Sequence, residues 1–176
     1  MRQFILSITT VISLISLGGK PVIGNEEFER LRQVLQHHQI EVVVALPPLR
    51  GAYGLFEVRS AKIWINPVVF ELGIARQTLI HEAVHGAQYC ATQQYLTQQG
   101  TSLGNTDGNN INGNNNQEAI VLRPLGLELD PPSIVQPYFL RYHDLHHRQV
   151  EAEAYTIQVQ PAGVDMAIEL LQRHCP

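Results

Sequence analysis

The chain has 176 residues, long enough for one domain with a sizeable core. Apolar residues make up 44% of it, charged residues only 16%, and the formal charge is −4. With that balance, and with no cluster of Lys and Arg, no nucleic-acid partner is expected.

In chain order, residues 1–18 read as a secretory signal. Arg2 supplies a positive start, and Phe4 to Leu17 form an apolar stretch interrupted only by Ser and Thr. Ser16-Leu17-Gly18 resembles a small-x-small cleavage site, giving a mature domain over 19–176. The stretch is shorter than the roughly 20 residues of a membrane span. The expected location is therefore secreted or periplasmic, with no stable span after cleavage. An uncleaved anchor is the alternative.

Glu26 to His37 has the period of an amphipathic helix, with Asn25 as N-cap and Phe28, Leu31, Val34 and Leu35 on its apolar face. His37 and His38 at its end suit the helix dipole, and adjacent residues point different ways, which disfavours joint ligation. Glu41 to Leu46 is a β-branched run stopped by Pro47-Pro48, and it predicts a strand. Gly51 and Gly54 punctuate a loop. Leu55–Arg59 and Ala61–Asn66 then predict two short strands. In the second, Ile63 and Ile65 share one face and Lys62 and Trp64 the other. Trp64 reads as ordinary sheet packing, or as the border of a groove. If Lys62 to Asn66 is an exposed edge, an extended peptide could add to it as a strand.

Ile74 to Thr92 predicts a helix. Leu79, Ile80, Ala83, Val84, Ala87, Cys90 and Ala91 fall on one side; Thr78, His81, His85, Gln88 and Thr92 fall on the other. Such a helix would pack its apolar side into the core and line a cleft with its histidines. Residues 100–117 are Asn/Gly-rich and cannot bury apolar surface, so a disordered loop is expected there. They carry too few acidic residues for a calcium loop. After a Pro-punctuated connector over 122–137, a second long helix is expected from about Tyr138 to Gln160, and a short one over Asp165 to His174. Cys90 and Cys175 could pair in an exported protein. Closing that loop is worth about 4 kcal/mol by chain-entropy scaling. The other reading is two free thiols, with Cys90 a small core residue.

His81-Glu82-Ala83-Val84-His85 carries the most chemistry. Positions i and i+4 stack on one helix face, so two imidazoles there can reach one Zn²⁺ while the glutamate between them lies beside the site. Such zinc usually has three protein ligands and one open position. Position 91 is alanine, so no third histidine follows six residues after His85. A later carboxylate must serve, and Arg148-Gln149-Val150-Glu151-Ala152-Glu153-Ala154-Tyr155 offers two. Val150, Ala154 and Ile157 mark an apolar face that Glu151 and Glu153 flank on opposite sides, which leaves the choice open. No G-x-S-x-G and no Gly-rich phosphate loop competes.

Over roughly residues 60–160 these two motifs, in this order, resemble the gluzincin-like metallopeptidases. They look most like the compact "minigluzincin" arrangement, where H-E-x-x-H on one helix is completed by a Glu on a later one. The resemblance implies an α+β, zincin-like fold: a small twisted sheet with an edge strand packed against the H-E-x-x-H helix, and a second ligand-bearing helix. It implies His81 and His85 as Zn²⁺ ligands and Glu82 as general base. In related patterns the third ligand is often the Glu three before a small Ala, here Glu151 with Ala154; Glu153 is the alternative. Tyr155 departs from the commoner form, where an acid or amide follows. Among Tyr142, His143, Asp144, His146, His147 and Arg148, a hydrogen-bond donor to an oxyanion is expected, first His147, with Arg148, Tyr142 and Tyr155 as alternatives. The implied activity is hydrolysis of a peptide or protein substrate. The alternatives are a non-catalytic exported zinc-binding protein and a zinc amidase acting on cell-wall peptides.

Overall fold

The computed structural model describes residues 25–99, 122–128 and 145–176. The signal segment 1–18, the Asn/Gly-rich stretch 100–117 and residues 138–144 of the second expected long helix lie outside the described residues, Tyr142 and His143 among them.

Helix α1, Asn25–His37, buries Phe28, Leu31 and Leu35 at the spacing its sequence predicts. It ends where Gln39 turns to φ 62, and the Ile40 amide reaches back to the Leu35 carbonyl at 2.9 Å. This is a left-handed helix stop made without glycine. Strand β1, Glu41–Val44, is two residues shorter than expected, ending before the prolines.

β2, Gly54–Glu57, and β3, Lys62–Ile65, form an antiparallel pair, and β1 runs parallel to β3. The sheet order is β1-β3-β2. Lys62 to Ile65 is therefore the central strand, so the condition for strand addition along it, an exposed edge, is not met. β1 and β2 are the two edges, β1 packing against α1 and β2 against the helix that carries His81 and His85. Ile63 and Ile65 point into the core with Phe56, while Lys62 bridges Glu41 at 3.0 Å and overlies the Trp64 ring on the outer face. Asn66 ties the sheet's end. Its amide donates to the Tyr53 carbonyl at 2.8 Å, and its side-chain nitrogen donates to the Ala52 carbonyl at 3.1 Å. Those two bonds fix the chain just before Gly54, which opens β2 instead of lying in a loop.

A one-turn helix α2, Val68–Glu71, stops at Gly73, whose φ of 69 suits a residue without Cβ. Helix α3, Ala75–Gln98, runs six residues past the expected end, since no Pro or Gly breaks it. It is the centre of the fold, touching α1, the sheet, α4 (Leu145–Gln158) and α5 (Gly163–His174). Leu79, Ile80, Ala83, Val84 and Ala87 are fully buried on its apolar side. Its polar side is not open as expected: Thr78, Gln88 and Thr92 are buried too. Residues 122–128 and α4 cover that side, with the Arg123 amide donating to Thr92 Oγ1 at 2.8 Å and Gln88 bonded to α4. A disulfide joins Cys90 on α3 to Cys175 just beyond α5, their Cα atoms 5.0 Å apart. The result is a mixed α+β fold with a small three-stranded sheet and several helices.

Candidate metal centre

On α3, His81 and His85 occupy successive turns of one face, and their Nε2 atoms come within 3.1 Å of each other. Helix α4 crosses that face and delivers Glu151. Its Oε2 lies 3.4 Å from His81 Nε2, and its Oε1 lies 3.6 Å from His85 Nε2. Tetrahedral ligands about 2.0–2.2 Å from a metal stand roughly 3.3–3.6 Å from one another. The observed separations are at or near that value, the two to Glu151 being to different oxygens of its carboxylate, and one ligand atom from each residue lies within 4.8 Å of the others. Two imidazole nitrogens and a carboxylate oxygen are also a donor set suited to a divalent transition metal. Among the described residues this is the group of His, Cys, Asp and Glu that could hold a metal ion.

Glu153, the other candidate ligand, is directed away from this group. It is 0% exposed. Its carboxylate accepts from the backbone amides of Leu125 at 2.7 Å, Gly126 at 2.8 Å and Leu127 at 3.2 Å, and from Gln88 Nε2 at 2.9 Å. Two positions along a helix turn a side chain through about 200°, so the two glutamates meet different partners.

Glu82 is buried beside the histidines. The room for it comes from β2. A Cβ at position 54 would lie 2.5 Å from Glu82 Oε1 and 2.8 Å from the Thr78 methyl group, so only glycine allows the strand this close. Burial pushes the Glu82 carboxyl up to about 7; the His81 charge and a backbone hydrogen bond from Phe56 oppose that, and the Glu151 charge adds to it. For Glu151, burial also acts upward. The hydrogen bond to His81 and the nearby His85, His81 and His147 outweigh it and hold the group at about 2. Burial lowers His85 to about 4, helped by the charge of His81. His81 is raised: burial works against its charge, and the Glu151 hydrogen bond with the charges of Glu82 and Glu151 prevails.

No family model, curated protein or solved structure matches this chain.

The remaining expected residues sort by distance. His147, 53% exposed, is one turn before Glu151 on α4, with Nε2 3.8 Å from Glu151 Oε1. The Tyr155 ring meets His81 edge-on, centroids 4.7 Å apart. His146 faces away, toward the Leu122 carbonyl. His37 and His38 pair ring to edge at the end of α1, away from the centre. Shallow hollows beside α1, against Arg32 and Gln36 and against His37 and His38, do not include the four central residues.

Gly54 and Gln88 contribute to this centre without having been singled out by the sequence. Gln88 had a signal: it sits three residues after His85 on the same polar strip. For Gly54 there was none, because its neighbour comes from a helix 28 positions away.

Proposed function

We propose that this protein is an exported zinc-dependent metallopeptidase. The observation that carries the reading is the convergence of His81, His85 and Glu151: the two Nε2 atoms are 3.1 Å apart, Glu151 Oε2 is 3.4 Å from His81 Nε2, Glu151 Oε1 is 3.6 Å from His85 Nε2, and the Glu82 carboxyl is buried next to them. Zn²⁺ held there would act as a Lewis acid on a carbonyl and make water more acidic. Glu82, whose carboxyl burial raises to about 7 in the metal-free chain, is the group beside the site that would take a proton from water and return it to the departing amine. His147, on the exposed side of Glu151, is the candidate donor to the carbonyl oxygen. An extended peptide pairing with β2, an edge strand, would pass Gly54 and so come alongside Glu82. The disulfide is compatible with an extracellular setting. No helix among the described residues is long and apolar enough to cross a membrane.

A non-catalytic zinc protein would have no use for a buried carboxylate of this kind between the ligands. The deciding experiment is metal analysis with a diverse peptide-library digest, on wild type and Glu82→Gln. Peptidase activity with bound zinc in wild type, and zinc without activity in the variant, is the expected result. Tight zinc with no cleavage by wild type would move the binding-protein reading ahead. Cleavage confined to cell-wall peptides would move the amidase ahead.

A further inference from the structure

His85 presents Nε2 to the centre, and its other nitrogen, Nδ1, lies 2.8 Å from Gln88 Oε1 in the buried interior. Which atom donates across that contact is decided at the far end of Gln88. Its Nε2 lies 2.9 Å from the Val150 carbonyl and 2.9 Å from Glu153 Oε2. A main-chain carbonyl and a carboxylate oxygen are both acceptors, so the atom between them must be the amide NH₂. The reversed amide would set an oxygen against two oxygens between fully buried side chains, at the cost of an unsatisfied polar group. The other end of the amide is therefore an acceptor, and His85 Nδ1 must carry the proton.

We propose that Gln88, oriented by Glu153 and the Val150 carbonyl, fixes His85 as the tautomer protonated on Nδ1, leaving the Nε2 lone pair free toward His81 and Glu151. Gln88 and Glu153 are positioning residues on this reading; neither touches the centre. Unconstrained neutral imidazole favours the opposite tautomer, which would point a proton at the site. Glu153 is itself held by three consecutive amides from residues 125–127, so the connector over 122–128 is the outer anchor of the relay. His81 lacks a comparable relay among the described residues: its Nδ1 is buried without a close hydrogen-bond partner there, and Gln158 is the side chain that acts on the ring from α4. Of the two histidines, His85 is the one delivered ready to ligate.

The consequence for metal binding rests on the metallopeptidase reading; the tautomer does not. The test uses the full chain, histidine-labelled with ¹⁵N and stripped of metal, with His85 assigned from the spectrum of His85→Asn. Long-range ¹⁵N–¹H correlations above neutral pH should show His85 protonated at Nδ1 and bare at Nε2. A wild-type spectrum with the proton on Nε2 overturns the proposal without any Gln88 variant. Gln88→Leu should shift His85 toward the Nε2-protonated form and weaken Zn²⁺, measured against a chromophoric chelator, by about 10–100-fold. An unchanged tautomer in that variant also overturns it. Thr92→Val is the control for general loosening. It cuts another link to the connector one turn along α3 and should leave both the tautomer and zinc affinity as in wild type. A wild type with the expected tautomer that binds no Zn²⁺ supports the relay and sinks the metal reading instead.

Discussion

Glu151 and Glu153 are two residues apart on α4 and each reaches a side chain of α3, yet they point in different directions and have different surroundings. Glu151 meets two imidazoles across gaps of 3.4 and 3.6 Å, distances too long for strong hydrogen bonds and suited to an ion between them. Glu153 accepts four hydrogen bonds of 2.7–3.2 Å from groups that are all donors. Among the described residues, one carboxylate faces imidazoles across long gaps, and the other is fully engaged. The lesson is that ligand and scaffold are told apart by what completes each group's hydrogen bonding, not by residue type or by spacing along one helix.

The largest effect expected from this contrast is on metal. Glu151→Gln, His81→Ala and His85→Ala should each abolish stoichiometric Zn²⁺ in the purified protein, since each would remove one of the three proposed ligands. Glu153→Gln should retain more zinc than Glu151→Gln. Elemental analysis showing the reverse order would exchange the roles of the two glutamates. Next comes Glu82, proposed as the general base and not as a ligand. Glu82→Gln should keep fold and zinc while peptide hydrolysis falls by at least about 10²-fold. Equal cleavage rates would remove Glu82 from the chemistry.

Glu153→Gln should lower stability by about 1–3 kcal/mol, because its amide would set a donor against a shell of donors. Chemical denaturation of the metal-free protein measures this, and an unchanged midpoint would contradict the scaffold role.

The last expected effect is in acid. Glu151 in the folded, metal-free chain is held near 2, below its ordinary value of 4.5. Its pairing therefore stabilises the fold above about pH 4.5 and is lost as pH falls toward 2. The stability gap between wild type and Glu151→Gln should narrow across that window. A gap that widens on acidification would contradict the pairing with His81 and His85.

Local chemistry was legible in the sequence where one helix carries it. The spacing of His81 and His85 is enough to bring them together, because a helix fixes the geometry of i and i+4. Assigning Glu151 over Glu153 needed a family resemblance, since both flank the apolar face of α4 and the deciding amides come from residues 125–127. The same limit explains the covered polar side of α3. Its pattern of Thr, His and Gln suggests an open cleft wall, and only the arrival of α4 and the connector converts it into a second buried contact. Strand order was hidden for a related reason. Three short runs of apolar residues define strands, but the β2–β3 turn alone does not say which partner β1 takes.

Gly54 illustrates how far such dependence can reach. It has no functional group, yet its missing side chain is the space in which Glu82 sits. Any replacement must push either the strand outward or the carboxylate aside. In a saturation map of this protein scored by peptide hydrolysis, position 54 should therefore be as intolerant as position 82 itself. A comparison of related sequences that weighed only polar residues would pass over it. The site's smallest residue would behave, under selection, like one of its reactive ones.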